Sequence, residues 1–206
     1  MRSVGEALTG VPSADVNGCA SCRTLGPSSE KPATVAEVVA TTLAHGTGTV
    51  TELLEHLAGE PIEADILHQR GVPAGADDPL GLPAAARTMH RAVLLTGTTT
   101  GRVFVYAESV IATDRLPPAA CLRLETSRDP IGRVLVDHHL DVDRQWLGTT
   151  AAVEHPDQRV AALIGGAVQS RRYRITIDHR PAMIVSEWFL RSVSVAFAEH
   201  LRTPDP

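Results

Sequence analysis

Two apolar runs five residues apart, 92–96 and 102–111, constrain this chain more than any other feature. Both are rich in residues that suit a pleated strand, and Gly97-Thr98-Thr99-Thr100-Gly101 between them suits a tight connection. The runs are therefore expected to pair as an antiparallel hairpin. Further strands are expected over 61–70, near 133–136, and over 172–177 and 182–190, the last two joined by the turn-like Asp178-His179-Arg180-Pro181. Helical signals flank these runs. Thr34-Val35-Ala36-Glu37 has capping-box spacing ahead of Val38, Val39 and Leu43, and Thr49-Val50-Thr51-Glu52 repeats it before Leu53, Leu54 and Leu57, with Gly59 as a stop. A short helix is expected over 158–163. The mixture reads as α+β.

Residues 1–33 are rich in Gly, Ser and Pro without periodicity and are expected to form a disordered leader, leaving 34–206 as one domain. Residues 71–86, dense in Gly, Pro, Ala and Asp, read as a long loop or flap and a candidate lid. A formal charge of -5 and a pI near 6.0 provide no overall basic field, so a small molecule rather than nucleic acid is the expected partner. Three cysteines are too few for a disulfide framework, and no stretch resembles a membrane span or a signal core. A cytoplasmic protein with no membrane partner is the expectation, and oligomeric state stays open.

Two charged residues stand where strands should be apolar. Side chains of an extended segment alternate between faces, so Glu187 shares its face with Val185 and Phe189, and Arg91 shares its face with Val93 and Leu95. An Arg and a Glu aimed into one apolar pocket would suit a small anionic substrate. From residue type alone, a solvated edge carboxylate and a strand-end cation remain open alternatives. Glu108 likewise interrupts an alternation with Phe104, Tyr106 and Val110, either orienting an arginine or forming a structural ion pair. Other constellations are weaker. Cys19-Ala20-Ser21-Cys22 is a lone CxxC, the segment from Asp137 to Asp143 has adjacent histidines that point to opposite sides of a strand, and Gly97 to Gly101 lacks the Lys of a phosphate-binding loop. No metal is expected.

His90-Arg91-Ala92-Val93-Leu94-Leu95, Ala107-Glu108-Ser109-Val110-Ile111, Arg115-Leu116-Pro117, Asp129-Pro130-Ile131-Gly132 and Arg171-Arg172-Tyr173-Arg174 leading into Glu187-Trp188-Phe189-Leu190, in that order, resemble the chorismate pyruvate-lyase (4-hydroxybenzoate synthase) family, particularly its actinobacterial branch. The resemblance covers roughly residues 38–195. It implies an antiparallel sheet flanked by helices, an enclosed ligand site, and cleavage of chorismate to 4-hydroxybenzoate and pyruvate without a cofactor. It also implies that Arg91 grips the ring carboxylate, that Glu187 faces the ring hydroxyl as acid or base, and that the backbone at Ile131 contacts the ligand, with Gly132 allowing close approach. A desolvated Glu187 would have a raised pKa. Arg172 and Arg174 are further candidates for the second substrate carboxylate, and Glu108 for support. The alternatives are a diverged lyase acting on a related cyclohexadiene such as aminodeoxychorismate, and a binding module for aromatic acids. The family's fold is similar to the effector-binding domain of a group of bacterial regulators, but the low-complexity leader is too short for their winged-helix domain.

Overall fold

The computed structural model describes residues 49–76, 78–150, 155 and 157–202. The expected leader, the helix opening at Thr34, and Cys19 with Cys22 lie outside the described residues. Helix α1, Val50–Ala58, forms where its capping box predicted. Thr49 accepts from the Glu52 backbone N–H while Glu52 accepts from that of Thr49, and Gly59 ends the helix with a left-handed φ of 66°. Strands β1 (Ile62–Pro73), β2 (Arg87–Gly97) and β3 (Val103–Ala112) follow, then helices α2 (Pro118–Thr126) and α3 (Ile131–Asp137) and strand β4 (Val142–Gly148). Helix α4 (Gln158–Gly165), strands β5 (Ala167–Ile177) and β6 (Arg180–Leu190), and helix α5 (Arg191–His200) complete the described chain.

The strands form one sheet in the order β1-β2-β3-β6-β5-β4, every neighbouring pair antiparallel. The hairpin connecting β2 and β3 is held by a residue outside it. Glu60, 8% exposed, accepts from the backbone N–H groups of Thr99 (2.6 Å) and Thr100 (2.9 Å) and from the Thr100 hydroxyl (2.6 Å). A Cβ on Gly97 would stand 2.3 Å from the Glu60 carboxylate, so a larger residue there would displace Glu60 from the turn it holds.

On one face of the sheet the side chains separate into two apolar clusters along the strand direction. The first joins Val93 and Leu95 of β2, Val105 and Ala107 of β3 and Phe189 of β6 to α1 and α5 through Val50, Leu54, Val193 and Ala196. The second joins Met89, Ile111, Ile175 and Met183 to α2 and α3 through Leu124, Val134 and Leu135. Burial of these side chains supplies the main driving force for both layers, at about 25 cal/mol per Å² of apolar surface. Between the clusters runs a belt of polar residues. The opposite face is covered by α4, through Val160 and Ile164 against Tyr106 and Trp188, and by Leu80 against Ala112 and Ile184.

The elements differ from expectation in one assignment, one added strand and one boundary. Residues 133–136 are helical. Pro130 caps an element whose buried Val134 and Leu135 lie one turn from Ile131, a spacing that outweighs the β-branched composition. Strand β4 was not anticipated, because it is an edge strand exposed from Asp143 through Leu147 and carries no apolar alternation. The long loop expected over 71–86 begins three residues later, since β1 runs to Pro73 and no helix or strand is assigned before Arg87 among the described residues. Within it Leu80 is buried on the face opposite the belt, and its carbonyl accepts from Arg115 at 3.4 Å. Arg115 also donates to the Pro181 carbonyl.

Candidate functional site

The polar belt lines a narrow pocket with a cavity of about 50 Å³. Strand register assembles it. Arg91 on β2 faces Ser109 on β3, Ser109 faces Val185 on β6, Ala107 faces Glu187, and Glu187 faces Arg171 on β5. Cross-strand partners share a face, so Arg91, Ser109, Glu187 and Arg171 all point to the same side.

Arg91 is 2% exposed. Both terminal nitrogens donate to one backbone oxygen, the carbonyl of Asp129, at 3.2 Å each, and its buried Nε has no hydrogen-bond partner. Burial pushes the guanidinium down to about 10, opposed by the Asp129 carboxylate, so it stays charged at neutral pH. Among the described residues no carboxylate oxygen lies within ion-pair distance of it. A buried cation whose terminal nitrogens are hydrogen-bonded only to a carbonyl is favourable ground for an anion.

Glu187 is 5% exposed, and each of its carboxylate oxygens accepts one hydrogen bond. Arg171 Nε donates to Oε2 at 2.5 Å, and the Tyr173 hydroxyl donates to Oε1 at 3.0 Å. The Arg171 guanidinium lies over the rings of Tyr173 and Phe189, 4.8 and 5.4 Å from their centroids. Burial disfavours its charge, but Glu187 and Tyr173 together more than offset this and hold it above the ordinary value. Burial and the neighbouring carboxylate push the Tyr173 phenol far above its usual range, so it remains a neutral donor.

Two helix starts close the pocket from above the sheet. Thr49, Val50 and Thr51 belong to the first turn of α1, and Pro130, Ile131 and Gly132 to that of α3. Gly132 is the contact between them. A Cβ there would meet Thr49 Cβ at 3.0 Å and Thr51 Oγ1 at 3.3 Å. The turn ahead of α3 is fixed by Asp129, whose carboxylate accepts from Arg123 (2.7 Å) and Ser127 (2.9 Å), and these contacts hold it below the usual carboxylate range. Arg133 ties α3 to Glu55 of α1.

Of the residues singled out from sequence, the structure brings together Arg91, Glu187, Ile131 and Gly132 on the walls of one pocket. It separates Glu108, Arg172 and Arg174 from them. Glu108 pairs with Ala92 and Ser186 on the opposite face, where it accepts from the Tyr106 hydroxyl at 2.6 Å. Arg172 is exposed opposite Ser186, and Arg174 donates to Gln145 and to the Pro79 carbonyl. Arg171, which sequence reasoning weighed with Arg172 and Arg174 but ranked behind them, lines the pocket, as do Tyr173, Ser109 and Arg144, which it passed over. Three guanidinium groups against one carboxylate leave its walls with an excess of positive charge.

A family model described as chorismate pyruvate-lyase, Rv2949c-like, matches residues 44–196. The chain is 32% identical over 158 residues to a chorismate pyruvate-lyase of Mycobacterium tuberculosis (strain ATCC 25618 / H37Rv), covering 71% of this chain and 76% of that one. It is 31% identical over 158 residues to a chorismate pyruvate-lyase of Mycobacterium leprae (strain TN), covering 71% of each. Among solved structures, PhnF from Mycobacterium smegmatis gives a TM-score of 0.46 at 15% identity, over 71% of this chain and 65% of that one. The C-terminal domain of the histidine utilization repressor from Pseudomonas syringae pv. tomato gives 0.46 at 12% identity, over 64% and 92%.

Proposed function

Because this chain belongs to the chorismate pyruvate-lyase family, we propose that it converts chorismate to 4-hydroxybenzoate and pyruvate in the pocket between Arg91 and Glu187. The observation that carries this reading is the buried, carboxylate-free guanidinium of Arg91 on the same wall as Glu187, two strands away in the sheet. Chorismate presents a carboxylate on one ring carbon and a hydroxyl on the carbon opposite it. Arg91 receives the carboxylate through charge-assisted hydrogen bonds, and Glu187 accepts from the hydroxyl.

The reaction is an elimination. The proton leaves the ring carbon that bears the hydroxyl, its bonding electrons form the new ring double bond, and the neighbouring carbon–oxygen bond breaks. The departing enolpyruvate takes up a proton to become pyruvate, so atoms and charge balance without a change of oxidation state that needs a partner. Aromatisation supplies the driving force, and the pocket contributes orientation and control of the proton. Arg171 and Tyr173 hold the Glu187 carboxylate in one orientation, which fixes the face of the ring it meets.

The test is to incubate the purified protein with chorismate and, separately, with aminodeoxychorismate, and to identify the aromatic products by mass. Equal amounts of pyruvate and 4-hydroxybenzoate from chorismate support the reading. Turnover confined to aminodeoxychorismate replaces it with the related elimination, and saturable binding without turnover replaces it with a binding role.

A further inference from the structure

We infer that Arg144, on the edge strand β4, receives the enolpyruvyl carboxylate of the substrate. This deepens the lyase reading and rests on it. Strand order spreads the charged residues of the pocket wall across the sheet, Arg91 on β2, Glu187 on β6, Arg171 on β5 and Arg144 on β4, and the register staggers them. Glu187 and Arg171 lie two residues to one side of the Arg91 row along the strands, and Arg144, opposite Ile175, two residues to the other side. Glu187 stands two strands from Arg91 on one side and two strands from Arg144 on the other. In chorismate the ring carboxylate lies opposite the hydroxyl, and the enolpyruvyl ether is attached beside the hydroxyl, so its carboxylate projects from the flank of the ring, off the axis that joins the other two groups. With Arg91 on the ring carboxylate and Glu187 on the hydroxyl, that carboxylate needs a cation off the Arg91–Glu187 axis, and the two remaining cations of the pocket wall lie on the β5–β4 side.

Two cations lie on that side, and their surroundings separate their roles. Arg171 is committed to Glu187 through Nε and stacked on Tyr173 and Phe189. Arg144 faces Ile175 across β4 and β5, lines the pocket from its exposed rim, and among the described residues has no carboxylate within ion-pair distance. Its charge still reaches the site, since it acts on the Tyr173 phenol and on Glu52 at the start of α1. An exposed arginine at the rim can hold the side chain that must leave and release it to solvent after cleavage.

The inference separates substrate from aromatic product, because 4-hydroxybenzoate has no second carboxylate. The experiment compares wild type, Arg144→Gln and Arg144→Lys by steady-state kinetics with chorismate and by calorimetric titration with 4-hydroxybenzoate. The expected result is a chorismate KM raised about tenfold in Arg144→Gln, as for loss of one partly solvated ion pair, with partial recovery in Arg144→Lys. Affinity for 4-hydroxybenzoate stays within about twofold of wild type, and the KM difference shrinks as salt is raised. An unchanged KM overturns the inference, and so does a parallel loss of 4-hydroxybenzoate affinity. A wild-type protein that does not turn chorismate over overturns the lyase reading itself, and this inference with it.

Discussion

Arg171 Nε stands 2.5 Å from Glu187 Oε2 on the neighbouring strand, and the two residues are 6% and 5% exposed. The carboxylate that faces the pocket is thus compensated from within the sheet, while Arg91 is left to an anion. Removing one member strands a buried charge, whereas replacing both with apolar side chains removes the desolvation cost as well. Arg171→Met is expected to lose about 3–5 kcal/mol of stability. The double variant Arg171→Met/Glu187→Leu is expected to recover most of it while remaining inactive. Denaturant unfolding of the four proteins in the cycle measures this. Additive losses would show that the pair is not coupled.

Gly132 lies where α1 and α3 touch, and an added methyl group has Thr49 Cβ at 3.0 Å. Gly132→Ala is expected to cost about 1–3 kcal/mol by overpacking. It also moves the first turn of α3, so chorismate KM is expected to rise while the sheet residues keep their arrangement. Thermal unfolding and KM measured on the same preparation check both parts.

Asp129 gives the site an acid limit. Its carboxyl is held below its usual range, chiefly by the hydrogen bond from Arg123, so the native state favours the ionised form. The resulting stability is fully present above the unfolded value of about 4 and is lost as pH falls through the lower, folded value. Asp129→Asn is expected to flatten the decline in stability below about pH 4, and to weaken ligand binding at neutral pH by loosening the turn whose carbonyl holds Arg91. A stability profile unchanged by the substitution would remove Asp129 from this role.

Glu60 and Gly97 provide a structural contrast. The Glu60 carboxylate holds three donors of the hairpin turn and lines no part of the pocket. Glu60→Ala leaves those donors unpaired, and a loss of about 1–3 kcal/mol is expected with chorismate KM unchanged at temperatures where the variant is folded. A shift in KM comparable to that of Gly132→Ala would contradict the separation of scaffold from site.

Period-two alternation was sufficient to place Arg91 and Glu187 on their faces, because it depends only on local strand geometry. The partner of Glu187 was not legible, and the reason is a single residue. The turn at Asp178 and His179 pairs Ile177 with Arg180 and Thr176 with Pro181, and extending that register would set Ser170 opposite Glu187. A bulge intervenes. Ile175 pairs with Met183, so Ala182 is the extra residue of β6, and Arg171 moves opposite Glu187 in place of Ser170. The same shift leaves Arg172 and Arg174, which sequence reasoning preferred, on the other face. Arg144 was illegible for a different reason. Its strand lies at the sheet edge, where exposed residues impose no pattern, and only pairing with β5 brings it to the pocket rim.

The most direct test of the site is turnover of chorismate by wild type, Arg91→Gln and Glu187→Gln, with pyruvate followed continuously and folding of each variant verified by circular dichroism. The account predicts stoichiometric pyruvate and 4-hydroxybenzoate from wild type and a loss of about a hundredfold or more in kcat/KM for each variant, as expected when a buried charged partner is removed. Wild-type activity that survives in both folded variants would contradict it.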